Sequence, residues 1–174
     1  MIMDSINRNQ PEHTRADLSG VDAIKRIKDM ISHAETCFFC TANGVRPMSA
    51  LQVDDGGNLF FLSASDSAHN HDIETDPAVR LFFQSSKHSG FLYFDGRASI
   101  SRDQAKIKEL WSFMMKTWFT EGDHDPRITV IQVTPVQGHY WDNKHGNTVA
   151  GAKMLLGAAI GQTMDDSIEG SIRL

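Results

Sequence analysis

The sequence predicts a mainly β fold, a small antiparallel barrel with flanking helices. Six segments rich in β-type residues, mostly joined by tight-turn signals, carry that expectation. Two segments of helical period stand before the first strand and before the last. No βαβ alternation, GxGxxG or P-loop glycine pattern interrupts them. A chain of 174 residues, 40% apolar and 22% charged, is long enough for one domain with a sizeable core and too short for two.

The opening MIMDSINRNQPEHTRADLSG is polar and lacks the apolar run of a signal peptide, so residues 1–18 are expected to be a flexible arm. Val21, Ile24, Ile27, Ile31 and Ala34 then recur at helical spacing, which predicts an amphipathic helix over 19–33. After it the period drops to two. TCFFCTA reads as a first strand, Asn43-Gly44 as a tight turn, and RPMSALQV as a second strand. DDGGN turns the chain into a third strand, NLFFLSA. A short helix over 69–75 ends at Asp76-Pro77, because the residue before proline avoids the helical region.

AVRLFFQ is the fourth strand, and KHSG turns it into the fifth, FLYFDGRASIS, where Gly96 marks a bulge or bend. Ile107, Leu110, Trp111, Met114 and Trp118 form one stripe of a second helix, and core packing is its plain role. ITVIQVTPVQGHYWD is the sixth strand, bent at Pro135 or Gly138. The barrel domain is thus expected over 19–142. Residues 143–174 follow as a Gly-rich extension packing on the barrel or on a partner subunit.

A net charge of −5, from 17 basic and 22 acidic residues, argues against a general nucleic-acid binder. No uninterrupted apolar run reaches bilayer length, and a soluble cytoplasmic protein is expected. Cys37 and Cys40 stand in CFFC, but redox CxxC pairs open helices. On a strand these two side chains point to opposite faces, which favours structural roles.

Several pieces in a fixed order resemble a known family. NGVRPMSA is a turn followed by Arg-Pro-Met on a strand. LFFLSASDSAHNHDIETDPAVRLFF runs from an aromatic strand through a polar loop and short helix to the next strand. YFDGRASI, LWSFMMKTWFTEGDHDPRITVIQVTP and the closing HYWD complete the set, from residue 34 to 142. Together they resemble the FMN-binding split barrels related to pyridoxamine 5′-phosphate oxidase, and most closely the general stress protein branch. The resemblance implies a six-stranded antiparallel Greek-key split barrel and a homodimer holding two FMN molecules at its interface.

Carried over by position, the resemblance places Arg46 and Met48 along the flavin with Ser49 close by. Phe61, Leu62 and Ser63 run beside the ring and ribityl chain. Ser67 and His69 face the phosphate, Gln84 approaches from the fourth strand, and Trp118 covers the ring from its own or the partner subunit. Each has a plainer role beside this one. Arg46 can be a surface strand residue, Ser63 and Ser67 helix-entry residues, and Gln84 an exposed strand end. Met48, Phe61, Leu62 and Trp118 can be barrel core, as can Tyr140 and Trp141 at core or interface.

The physical case for a phosphate loop stands apart from the likeness. SASDSAHNHD offers the hydroxyls of Ser63, Ser65 and Ser67, then free N–H groups and a favourable dipole at a helix start. Arg46 adds a fixed charge of bidentate geometry, and Met48 and Trp118 suit the faces of a flat ring. A metal site needs three or more converging ligands, whereas His69 and His71 do not share a helix face. His124-Asp125 in a later turn is the only tempting addition.

The family's usual lysine in this loop is replaced by His69, which is only partly charged near neutral pH. FMN is therefore expected to bind more weakly as pH rises, or to depend more on Arg46 and the serines. The Arg, His and Trp pattern that grips a vitamin B6 phosphate is missing from HYWDNKHGNTVAGAKMLLG, so B6 oxidation is not expected. No Ser-His-Asp set or close carboxylate pair marks a catalytic residue. The expectation is an FMN-dependent oxidoreductase of unknown substrate with a role in stress. The alternatives are a flavin-binding or flavin-sensing protein with little turnover, and a binder of haem or deazaflavin. For haem, His13, His88, His139 and His145 are the candidate ligands.

Overall fold

The computed structural model of the chain describes residues 15–34, 36–85, 90–143, 150, 152–156 and 166–174. The strands are β1 (Leu18–Ser19), β2 (Cys37–Cys40), β3 (Val45–Met48), β4 (Gln52–Val53), β5 (Leu59–Ala64), β6 (Ala78–Gln84), β7 (Phe91–Ser101), β8 (Ile128–Asn143) and β9 (Ser167–Arg173). The helices that bear on the site are α1 (Gly20–Ser32), α2 (Ala68–Thr75) and α3 (Gln104–Leu110).

The strands pair in the order β1-β9-β8-β7-β6-β2-β3, with β5 also on β8 and β4 on β5. β7 lies along nearly the whole of β8. On its other side β8 is shared, its first half with β5 and its second half with β9. One path therefore runs from β3 through β8 to β4, and residues 49–51 alone connect those two ends. So short a link requires the sheet to curl until its edges approach, which is a split barrel. The register shift between Asp95 and Gly96, opposite Pro135 and Gln137, puts a bulge at the expected bend.

The alternation of the sequence explains which side faces inward. In β6, Val79, Leu81 and Phe83 are buried while Arg80, Phe82 and Gln84 face out. The core they enter contains Phe39, Leu59, Phe61, Leu92, Phe94, Ile131 and Val133, closed by α1. A smaller apolar cluster of Phe60, Ile107, Leu110, Phe119, Ile128 and Val130 lies under α3. In β2, Cys37 is buried and Cys40 half-buried, both free thiols, and burial pushes the Cys37 thiol up to about 12.

Four details differ from the sequence expectation. The buried stripe of α1 is Ala23, Ile27, Met30 and Ile31, with Val21 exposed. Alanine at 23 does not register as a core signal, yet it is fully buried. The predicted second strand is two strands, because β2 offers β3 only four partners and the chain then crosses to β5. Gly57 allows the turn before β5, at φ +82, where Asp54 accepts from the Asn58 N–H and amide.

The predicted helix through Trp118 stops at Leu110. Trp111 is extended, and a 3-10 turn over Phe113–Thr117 follows. This shift of phase exposes Met114 and Trp118 and buries Phe119 instead. The run Trp111-Ser112-Phe113 has poor helix propensity, which accounts for the break. The C-terminal residues supply an unforeseen strand, β9, and the end of the expected arm pairs with it in parallel at Leu18 and Ser19. Tyr140 reinforces that join by donating its hydroxyl to the Ala16 carbonyl at 2.8 Å.

Candidate functional site

β3 and the β4–β5 pair lie towards opposite ends of the pairing path, and a groove of about 490 Å³ lies between β3 and β5. β3 and its exit contribute Arg46, Pro47, Met48, Ser49 and Leu51. β5 contributes Leu62, Ser63 and Ala64, while the 3-10 turn and the loop after it close the far wall with Met115, Trp118 and Phe119. Six of the ten expected residues thus line one groove, namely Arg46, Met48, Ser49, Leu62, Ser63 and Trp118. Trp118 is 64% exposed, an apolar ring standing at the open side.

The polar end of the groove is built from the loop between β5 and α2. Ser67 caps α2 by accepting from the Asn70 N–H, and its hydroxyl reaches the Asn70 side-chain oxygen at 3.2 Å. The Ser63 and Ser67 hydroxyls lie 3.2 Å apart. Behind them, Asn70 donates to the Thr129 hydroxyl, which donates to the Ser63 carbonyl. The N–H groups of Ala68 and His69 open the helix, where an α-helix has no acceptor of its own. Among the described residues, Arg46 forms no ion pair.

His69 lies beneath this loop rather than along the groove. It is 5% exposed, and its ring packs edge-on to Phe39 at 4.5 Å. Its Nε2 is buried without a hydrogen-bond partner. Burial first, and then the nearby Arg46 guanidinium, pull the imidazole below its ordinary range, against an upward pull from Asp72. His71 is exposed on a different side of α2.

Phe61 is fully buried in the core against Phe39, so its neighbours Leu62 and Ser63, and not its own ring, meet the groove. Gln84 lines a second, larger cavity of about 810 Å³. Phe38, Phe82, Phe91, Tyr93 and Trp141 dominate that cavity, which shares Thr36 and Pro47 with the first. Of the candidate haem ligands, His13, His88 and His145 lie outside the described residues. His139 approaches Glu169 at 3.4 Å and packs on Trp141, and it lines neither cavity. No group of three or more potential metal ligands converges among the described residues.

The sequence reading missed Met115 and Phe119, because the stripe was phased for an uninterrupted helix. It also missed Asn70 and Thr129. Serine before a short helix is a favoured N-cap, but nothing local marks Asn70 as its side-chain partner or Thr129 as the partner of Asn70.

A phosphate-bearing flat molecule fits these residues. Arg46, without an ion pair among the described residues, and the Ser63 hydroxyl line one mostly apolar groove, the Ser67 hydroxyl and the start of α2 lie next to Ser63, and the His69 ring is buried beneath them. The fold that positions them is a Greek-key split barrel. The chain belongs to the pyridoxamine 5′-phosphate oxidase-like family, whose model matches residues 22–165.

Among solved structures, a protein described as general stress protein 26 from Jannaschia sp. CCS1 superimposes with a TM-score of 0.76 at 20% identity. The match covers 89% of this chain and 100% of that one. A general stress FMN/FAD-binding protein from Xanthomonas citri gives a TM-score of 0.59 at 24% identity, covering 69% of this chain and 87% of the other. Both likenesses concern the fold. Protein bli-3 of Neurospora crassa is 28% identical over 104 residues, 55% of this chain. The match covers 50% of bli-3, so this chain spans half the length of that relative.

Proposed function

We propose that this chain is an FMN-binding flavoprotein, an oxidoreductase acting on a small molecule in a stress setting. The observation that carries the proposal is an apolar groove lined by Arg46 and Ser63, with the Ser67 hydroxyl 3.2 Å from that of Ser63. FMN joins a phosphate to a flat ring through a ribityl chain, and the groove offers a partner to each. The general stress protein of Xanthomonas citri described as binding FMN or FAD shares the fold.

In this reading Arg46, Ser63, Ser67 and the helix start hold the phosphate, with His69 beneath them. Ser49 lies near the ribityl chain. Met48, Leu62 and Trp118 pack on the ring, and Phe61 backs the strand from inside. The flavin, when bound, supplies hydride or electron transfer. The protein binds and orients it and excludes water. Apart from Arg46, the side chains lining the groove are uncharged, which is consistent with the chemistry residing in the cofactor.

The same groove leaves one side of a bound ring open, and a second copy of the chain is the proposed cover. Phe38, Phe82, Phe91 and Trp141 form an aromatic face next to the groove, each between 41 and 58% exposed. At 150–250 Å² per aromatic side chain they present roughly 300–500 Å² to solvent. A stable dimer buries about 800 Å² on each partner, so this face supplies the aromatic centre of such an interface. Gln84 lies on it and approaches the flavin site from there.

A second reading, a flavin carrier with little turnover, is favoured by the lack of an acid or base among the described groove residues. Two measurements separate the proposals. Fluorescence titration with FMN, FAD and riboflavin tests the cofactor, and tightest binding of FMN is expected. Anaerobic mixing of the loaded protein with reduced nicotinamide tests turnover. Bleaching of the flavin band indicates an oxidoreductase, and an unchanged band with every donor indicates a carrier.

A further inference from the structure

The Nε2 of His69 is a buried polar atom with no partner, and it needs an explanation. Its neighbours are unusual for an inert core residue. His69 is the second residue of α2, two residues after the Ser67 cap, and Ser67 touches Ser63. Phe39, which its ring contacts, is the cross-strand partner of Arg46. The imidazole therefore lies under the polar end of the groove, between β2, β3 and α2.

We infer that His69 is the proton-accepting residue of this site. An anion arriving at Arg46, Ser63 and Ser67 draws a proton onto its ring, so a phosphate-bearing flavin binds with proton uptake and more weakly as pH rises. The inference rests on the flavin reading above and extends it to the regulation of that site.

The charges around the ring set the direction. From β3, Arg46 disfavours the imidazolium, and burial does so more strongly. From α2, Asp72 favours it. Asp72 is itself held by hydrogen bonds from Asn43 and Thr41 and sits near His71. From β2 the ring meets the uncharged Phe39. In the loop, the Asp66 carboxylate interacts with Arg127. A phosphate dianion at Arg46 cancels that repulsion and adds its own attraction to that of Asp72, so that burial alone still opposes the imidazolium. It also brings acceptor oxygens to a site where a ring nitrogen has none.

The proton balance is simple. The imidazole is neutral before binding and charged after it, with the proton taken from solvent. One proton taken up makes the dissociation constant rise by up to tenfold per pH unit, between the free and the bound pKa of His69. The flavin phosphate loses its own second proton near pH ~6. Measurements above pH ~7 therefore isolate the protein's contribution.

The test is calorimetric titration of the full chain with FMN in two buffers of different ionisation heat, repeated across about pH 7 to 8.5. Riboflavin, which lacks the phosphate, is the control. We expect net uptake approaching one proton per FMN and a dissociation constant that rises several-fold across the range. Riboflavin binding and a His69→Gln variant should both be flat. FMN binding without proton uptake in the wild type overturns the role of His69 and leaves the flavin site standing. No FMN binding at any pH overturns the flavin reading and this inference with it. The wild-type heats decide the matter even if the variant fails to fold.

Discussion

Asn70 and Thr129 meet in the interior, the side-chain amide of one donating to the hydroxyl of the other at 2.8 Å. Thr129 passes the connection on to the Ser63 carbonyl at 3.0 Å. The loop carrying Ser63 and Ser67 is thereby tied to β8. Thr129→Val keeps the shape but leaves the Asn70 amide unpaired, at a cost of about 1–3 kcal/mol. Urea unfolding should show that loss, and FMN binding should weaken with it. An unchanged midpoint would mean that water or another group satisfies Asn70.

Arg46 should behave in the opposite way. It is exposed on β3 with no ion pair among the described residues, so Arg46→Ala should change stability by no more than about 0.5 kcal/mol. A hydrogen bond to a charged group contributes about 1.5–3 kcal/mol, so the same variant should weaken FMN binding at least tenfold. Riboflavin affinity should hardly move.

The aromatic face predicts an assembly. Phe82 points outward from β6 beside Tyr93, at a ring separation of 5.8 Å. A charge placed there should have little effect on the folded monomer and oppose pairing of two faces. Sedimentation should show wild type as a dimer and Phe82→Asp as a monomer, with flavin retention falling in parallel. A variant that stays dimeric would move the interface elsewhere.

Without ligand, the buried His69 also gives a stability dependence on pH. Its folded-state pKa lies below the unfolded value of about 6.5, so the unfolded chain binds the proton more readily. The contribution is complete above that value and is lost as pH falls through the range below it. Thermal midpoints of the ligand-free protein should therefore drop between about pH 7 and 5, and His69→Gln should remove part of that drop.

Much of this architecture was legible from residue patterns. Strict alternation in AVRLFFQ, the Asn43-Gly44 turn and the glycine at 96 each fix a local geometry, and the folded chain follows them. What was not legible depended on distant partners. Nothing in VRPMSALQV says that β3 must leave β2 for β5, because the limit is the four-residue length of β2. The exposed position of Trp118 depends on a break at Trp111 that helical periodicity conceals. The ten expected site residues were close in sequence motif but not all in place. Six line the groove, Gln84 lines the neighbouring cavity, Ser67 caps the helix behind, Phe61 is core, and His69 is buried beneath. Burial of a histidine is set by its packing against Phe39, which sequence spacing does not reveal.

The central claim is that this groove holds FMN. The most direct test is the visible absorbance spectrum of the purified chain after incubation with FMN and desalting. Flavin bands should stay with the protein, at about one flavin per chain. Colourless protein, with all flavin in the small-molecule fraction, would contradict it.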